Sequence, residues 1–103
     1  MMIEPVCLTL IAPRQIREEL FDYLDEQTDL GSGFTALEAA GHGSTVRLRS
    51  AAELVKGHAD QVVVQIILQK EGAERLLDRI RVSFTGASLV YWIVPVTEFG
   101  TID

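Results

Sequence analysis

Scarcity of certain residues excludes whole classes of function. The chain has a single cysteine, Cys7, so no intrachain disulfide can form. That fits a reducing cytosol and offers no paired thiols for redox work or a thiolate zinc site. Only 9 lysines and arginines stand against 15 acids, a net charge of −6. Nucleic-acid binding draws on a positive footprint, so it is not expected. No apolar run approaches the roughly 18–20 residues of a membrane span, so no membrane insertion is expected. The first residues lack the basic start and long apolar stretch of a secretory signal. There is no P-loop, no nucleophile elbow and no linear catalytic triad, and Ser50 and Cys7 have no base beside them in sequence. The expectation is a protein without enzymatic activity.

What is abundant is apolar. Hydrophobic residues make up 48% of 103 positions, and eight glycines come on top of them. Counted with glycine and without tyrosine, this passes the ~45–50% of ordinary globular domains. A chain of this length is one domain with a small interior. The excess needs another surface, and self-association is the first candidate.

Glycine and proline divide the chain into short elements. Val6 to Ile11, rich in strand formers between Pro5 and Pro13, reads as a buried strand. Pro13 suits the first turn of a helix. Ile16, Leu20, Tyr23 and Leu24 form its apolar face, and Arg14, Glu18, Asp22, Asp25 and Glu26 its wet one. That helix is expected to end near Asp29-Leu30-Gly31. Phe34 to Ala40 reads as a strand between Gly33 and Gly41. Ser50-Ala51-Ala52-Glu53 has the form of a capping box, with Gly57 as the stop, which gives a short helix over 51–56. From Asp60 to Gln69 the chain alternates: Val62, Val64, Ile66 and Leu68 point one way, with Gln61, Val63, Gln65, Ile67 and Gln69 opposite. Ala73, Leu76, Leu77 and Ile80 mark a second main helix. Leu89 to Val96 closes as a strand, with Val90, Trp92 and Val94 on one face and Leu89, Tyr91 and Ile93 on the other.

The order of the main elements is β-α-β-β-α-β. That implies an α+β, ferredoxin-like sandwich in one domain over 1–103, its antiparallel sheet carrying both helices on one face. The other face needs a cover. Its mixture of glutamines and β-branched residues suits an interface rather than solvent.

The stretch Gly33-Phe34-Thr35-Ala36-Leu37-Glu38-Ala39-Ala40-Gly41-His42-Gly43 resembles the Gly-x-Thr-x-x-Glu-x-x-Gly-x-Gly pattern of the nitrogen regulatory PII family, without a gap. The third strand, second main helix and final Ile93-Val94-Pro95-Val96 fall in PII order, so the likeness spans nearly the whole chain. The segment from Gly43 to Gly57 is shorter than the PII loop, which makes the chain resemble a divergent short-loop member with no assigned function. The resemblance implies a homotrimer with a ligand cleft between subunits and a loop that contacts a protein target such as a transporter. It points to Thr35, Gly41, His42 and Gly43 as ligand-binding residues. Three departures count against nucleotide binding in the PII manner. Ala87-Ser88-Leu89-Val90 replaces the Gly-Asp-Gly-Lys phosphate turn. Thr101 and Asp103 stand where PII has two arginines. No tyrosine lies between Gly43 and Gly57.

Two further features carry chemistry. His42 and His58 bracket the loop at the ends of two strands that would pair. They are candidate ligands for a divalent metal, with Glu38 or a neighbouring subunit completing the set. The plain alternative is two polar loop residues. Arg47, Arg49 and Lys56 make the 42–58 loop basic on an acidic protein, which suits an anion or a docking partner. Tyr91 and Trp92 read as core or interface rather than a stacking platform. The leading expectation is a cytoplasmic, trimeric PII-like regulator. It would sense a small ligand or metal at the subunit cleft and contact a partner through residues 42–58. The alternatives are a structural adaptor without ligand, or a metal-binding trimer similar to the divalent-cation tolerance proteins.

Overall fold

A computed structural model describes residues 3–30 and 33–103. Four strands form one sheet: β1 (Pro5–Pro13), β2 (Thr35–Gly41), β3 (Ala59–Gln69) and β4 (Val90–Pro95). Their spatial order is β2-β3-β1-β4 and every neighbouring pair is antiparallel. The helices are α1 (Arg17–Asp25), α2 (Ala51–Lys56) and α3 (Lys70–Ser83). This is the expected α+β, ferredoxin-like arrangement. Residues Gly31 and Ser32 lie outside the described segments.

The alternation in β3 sets the layers. Val62, Val64, Ile66 and Leu68 are buried and join Val6, Leu8, Leu10 and Ala12 of β1 in the core. Leu20 and Leu24 of α1 and Ala73, Leu76, Leu77 and Ile80 of α3 cover them. The helical spacing that brings these side chains to one stripe is the physical reason both helices dock on this face. No described helix is long and apolar enough to cross a membrane.

Two local expectations need correction. Pro13 does not open the α-helix. It is the last residue of β1, and its extended ψ of 138° feeds a single 3₁₀ turn, Arg14–Ile16, before α1 begins. The helix also ends earlier than Asp29. After Asp25 the chain enters turns closed by Gln27 N–H to the Leu24 carbonyl and Leu30 N–H to the Gln27 carbonyl, each 3.1 Å. Arg79 of α3 holds these turns, donating to Gln27 Oε1 at 2.8 Å and to both Asp29 carboxylate oxygens at 3.1 Å. A long-range anchor thus replaces the local helix stop.

The short helix forms where the capping pattern places it. Ser50 Oγ accepts from Glu53 N–H at 3.1 Å, and Gly57 turns left-handed at φ 79°, its N–H reaching the Glu53 carbonyl at 2.8 Å. Ser50→Ala should therefore cost about 1 kcal/mol. Hydrogen exchange is the measurement: faster exchange at the Glu53 amide, with the β1 and β3 amides unchanged, is the expected result.

Candidate functional site

The face of the sheet away from α1 and α3 is the unusual surface. Strand register lines up Leu37, Val63, Ile11 and Val90 in one row across all four strands. Leu37 and Val90 are more than half exposed, and Trp92 and Val94 nearly so. The next row is Thr35, Gln65, Thr9 and Trp92. Within it Thr9 is fully buried. Tyr91 and Trp92, though adjacent, stand opposite Leu10 and Thr9 and so lie on different faces. Tyr91 turns to α3, where Arg81 donates to its hydroxyl at 3.0 Å and lies 5.5 Å from its ring centroid.

At one end of this face the loop after β2 folds over the sheet and leaves a cleft of about 160 Å³. Ile11, Gln61 and Val90 form its floor, Arg47 and Arg49 come from the loop, and Ser88 precedes β4. Ser88 has φ 61°, and it is the one non-glycine residue with a positive φ among the described residues. A left-handed serine is sparsely populated, and such residues cluster at ligand clamps and switches. It occupies the turn that the PII resemblance assigns to phosphate. Neither Arg47 nor Arg49 makes an ion pair among the described residues, whereas Lys56 is committed to Asp60, with Nζ 2.9 Å from both carboxylate oxygens. That contact holds the Asp60 carboxyl below the ordinary range.

Glu53 is the residue that sequence reasoning undervalued. It is 1% exposed, a buried charge. The capping box expects it to reach back to the Ser50 amide. Instead its two oxygens accept the backbone N–H groups of Arg49 and of Asp60, the latter at 2.6 Å. These hydrogen bonds hold its carboxyl below the usual carboxylate range against the opposing pull of burial. One side chain therefore staples the loop, α2 and the start of β3 together at the wall of the cleft. The sequence signal was its place at N3 of a capping box, which specified the helix but not the destination of its oxygens.

The four residues expected to bind ligand do not assemble here within one chain. Thr35 and Gly41 are at opposite ends of β2, six residues or about 20 Å apart at strand spacing. None of Thr35, Gly41, His42 and Gly43 lines the cleft. Gly41 matters for packing: a Cβ there would run into the Gln61 side chain, which lies across it. His42 and His58 do come together, their ring centroids 5.3 Å apart. Glu38, the suggested third ligand, is taken by Arg14 at 3.3 Å and Arg17 at 2.8 Å.

Residues 2–103 match the model of the family described as protein of unknown function DUF3240. The chain belongs to this family. No curated protein matches it in sequence. A solved DUF3240 protein from Shewanella baltica is similar to it at 24% identity and a TM-score of 0.79, over 99% of this chain and 100% of that one. CPII, a nitrogen regulatory PII-like protein from Thiomonas intermedia bound to ADP, AMP and bicarbonate, is similar at 18% identity and a TM-score of 0.71, over 99% and 100% of the two chains. A PII-like signalling protein of Thermus thermophilus gives 18% and 0.65, over 93% and 91%. At these identities the likeness establishes the fold, so this DUF3240 chain has the PII-like architecture that its Gly33–Gly43 stretch suggested.

Proposed function

We propose that this DUF3240 protein is a non-enzymatic PII-like regulator that works as a homotrimer. The observation that carries this reading is the uncovered sheet face. A row of apolar side chains crosses four strands, and a cleft with two uncommitted arginines sits at its rim. Exposed apolar patches of this kind mark interaction surfaces. If three copies close over this face, each cleft gains a wall from its neighbour. The ligand is then a small anion held by Arg47 and Arg49. Those arginines supply the charge that the missing PII lysine does not. The ligand set of CPII motivates the choice of probes. The loop and α2, with Leu54 and Val55 exposed at 68% and 88%, are the surface offered to a partner protein such as a transporter.

Titration calorimetry with bicarbonate, AMP and ADP tests the ligand part. Bicarbonate or AMP should bind, and the double variant Arg47→Ala/Arg49→Ala should weaken binding by about a hundredfold or more, as expected when two charge-assisted contacts of about 1.5–3 kcal/mol each are removed. Absence of heat with all three probes, or unchanged affinity in the variant, would remove the anion site and leave the adaptor reading.

A further inference from the structure

We propose that His42 and His58 form a two-nitrogen chelate for a divalent transition-metal ion of the zinc, nickel and copper class. Strand register brings the two rings together. Gly41 and Ala59 are the last paired residues of β2 and β3, so continuing the antiparallel count sets His42 opposite His58. Directly opposed residues hold their Cβ atoms roughly 4.5–5.5 Å apart, within reach of a shared ion. Ring spacing fits a shared ion as well. An ion bound at about 2.0–2.1 Å to one nitrogen of each ring, at a tetrahedral angle, leaves the ring centroids about 5 Å apart. The rings here are 5.3 Å apart and inclined at 49°.

The surroundings of His58 leave one of its nitrogens free for an ion. His58 Nδ1 is buried and has no hydrogen-bond partner, and Asp60 Oδ1 lies 3.9 Å from it. A small ring rotation would let Nδ1–H donate to that carboxylate, which Lys56 already anchors. Metal-bound imidazoles are commonly backed by a carboxylate in this way, and the backing leaves the Nε2 lone pair for the ion. Imidazole nitrogens select the borderline transition metals over magnesium or calcium. No group of three or more His, Cys, Asp or Glu is placed to hold a metal among the described residues. The ion therefore keeps open positions for water or an outside donor, as in exchangeable sites rather than closed structural ones. Neither histidine lines the cleft, and the site stands whether or not the chain trimerises.

The test uses the full, metal-free chain titrated with zinc chloride in a non-chelating buffer, with the histidine ring resonances followed by NMR. Both rings should shift together and saturate at one zinc per chain. His42→Ala and His58→Ala should each weaken binding by about tenfold or more. If His58→Ala lowers the melting temperature, His58→Gln keeps the side-chain bulk and serves in its place. Immobile ring signals, movement of only one ring, or unchanged zinc affinity in either variant would overturn the site.

Discussion

Val63→Asp should convert the protein from particles of three times 11.4 kDa to single chains of 11.4 kDa by light scattering, while circular dichroism stays unchanged. Val63 lies between Leu37 and Ile11 in the apolar row and is only partly buried in the single chain. A carboxylate there can reach water in a monomer. In a trimer closed over this face, three such carboxylates would be desolvated close to one another. Burying an unpaired charge costs several kcal/mol, and like charges add repulsion. Trp92→Asp, further along the same face on an edge strand, should act in the same direction. Val82→Asp is the control. Val82 is 79% exposed on α3, on the opposite side of the molecule, and its substitution should leave the mass untouched. A wild-type mass of 11.4 kDa, or trimers that survive both sheet substitutions, would dismiss the open face as the seam and the shared cleft with it.

Much of this surface was legible in the sequence because strand alternation has a period of two. Once Val62, Val64, Ile66 and Leu68 were assigned to the core, Val63 and Ile67 had to face the other way. The partner residues of each row, such as Leu37 and Val90, depended on pairing register, which a single sequence does not supply. The His42–His58 approach was legible for a different reason: two strands joined through a loop pair antiparallel, and equal steps from the last pair end opposite one another. Arg79 and Glu53 were harder to place. Arg79 reaches Gln27 and Asp29 across some fifty residues, and no local pattern announces such a contact. Glu53 fits a local motif so well that the motif concealed its long-range use. Capping-box spacing fixes where the carboxylate starts, while the folded-back loop and β3 decide which amides it meets. The PII-type stretch signals the fold because Gly33, Gly41 and Gly43 mark strand ends and turns. Within one chain Thr35 and Gly41 stay at opposite ends of β2, a separation that the glycine spacing alone does not reveal.

Glu53→Ala should release the loop from the sheet and have a larger effect on it than Ser50→Ala. The two amides at Arg49 and Asp60 share one acceptor group, so removing the carboxylate strands both at once. Their hydrogen exchange should accelerate by about tenfold or more, because local opening then no longer breaks two charge-assisted bonds. Amides at Leu8 and Leu10, in the middle of β1, should not change. Glu53→Gln separates charge from shape: its carbonyl can accept one amide, but its NH₂ group points a donor at the other, so only one of the two should regain protection. Acid provides an independent route to the same state. Because the folded protein holds the Glu53 carboxyl below its ordinary value, its stabilising contribution is complete above that ordinary, unfolded value of about 4.5. It is lost as pH falls through the lower folded value. Between pH 5 and 8, within about the neutral range, loop protection should therefore be flat on this account, and it should fall only below the unfolded value. Asp60, also held low by Lys56, titrates in the same acid window and contributes its own share. The Glu53→Gln protein should retain that share and lose the rest. Equal acid sensitivity in wild type and variant would show that Glu53 does not hold the loop. The cleft wall at Arg47 and Arg49 would then owe its position to other contacts, among them Lys56–Asp60 and the Val46 N–H bond to the Gly43 carbonyl.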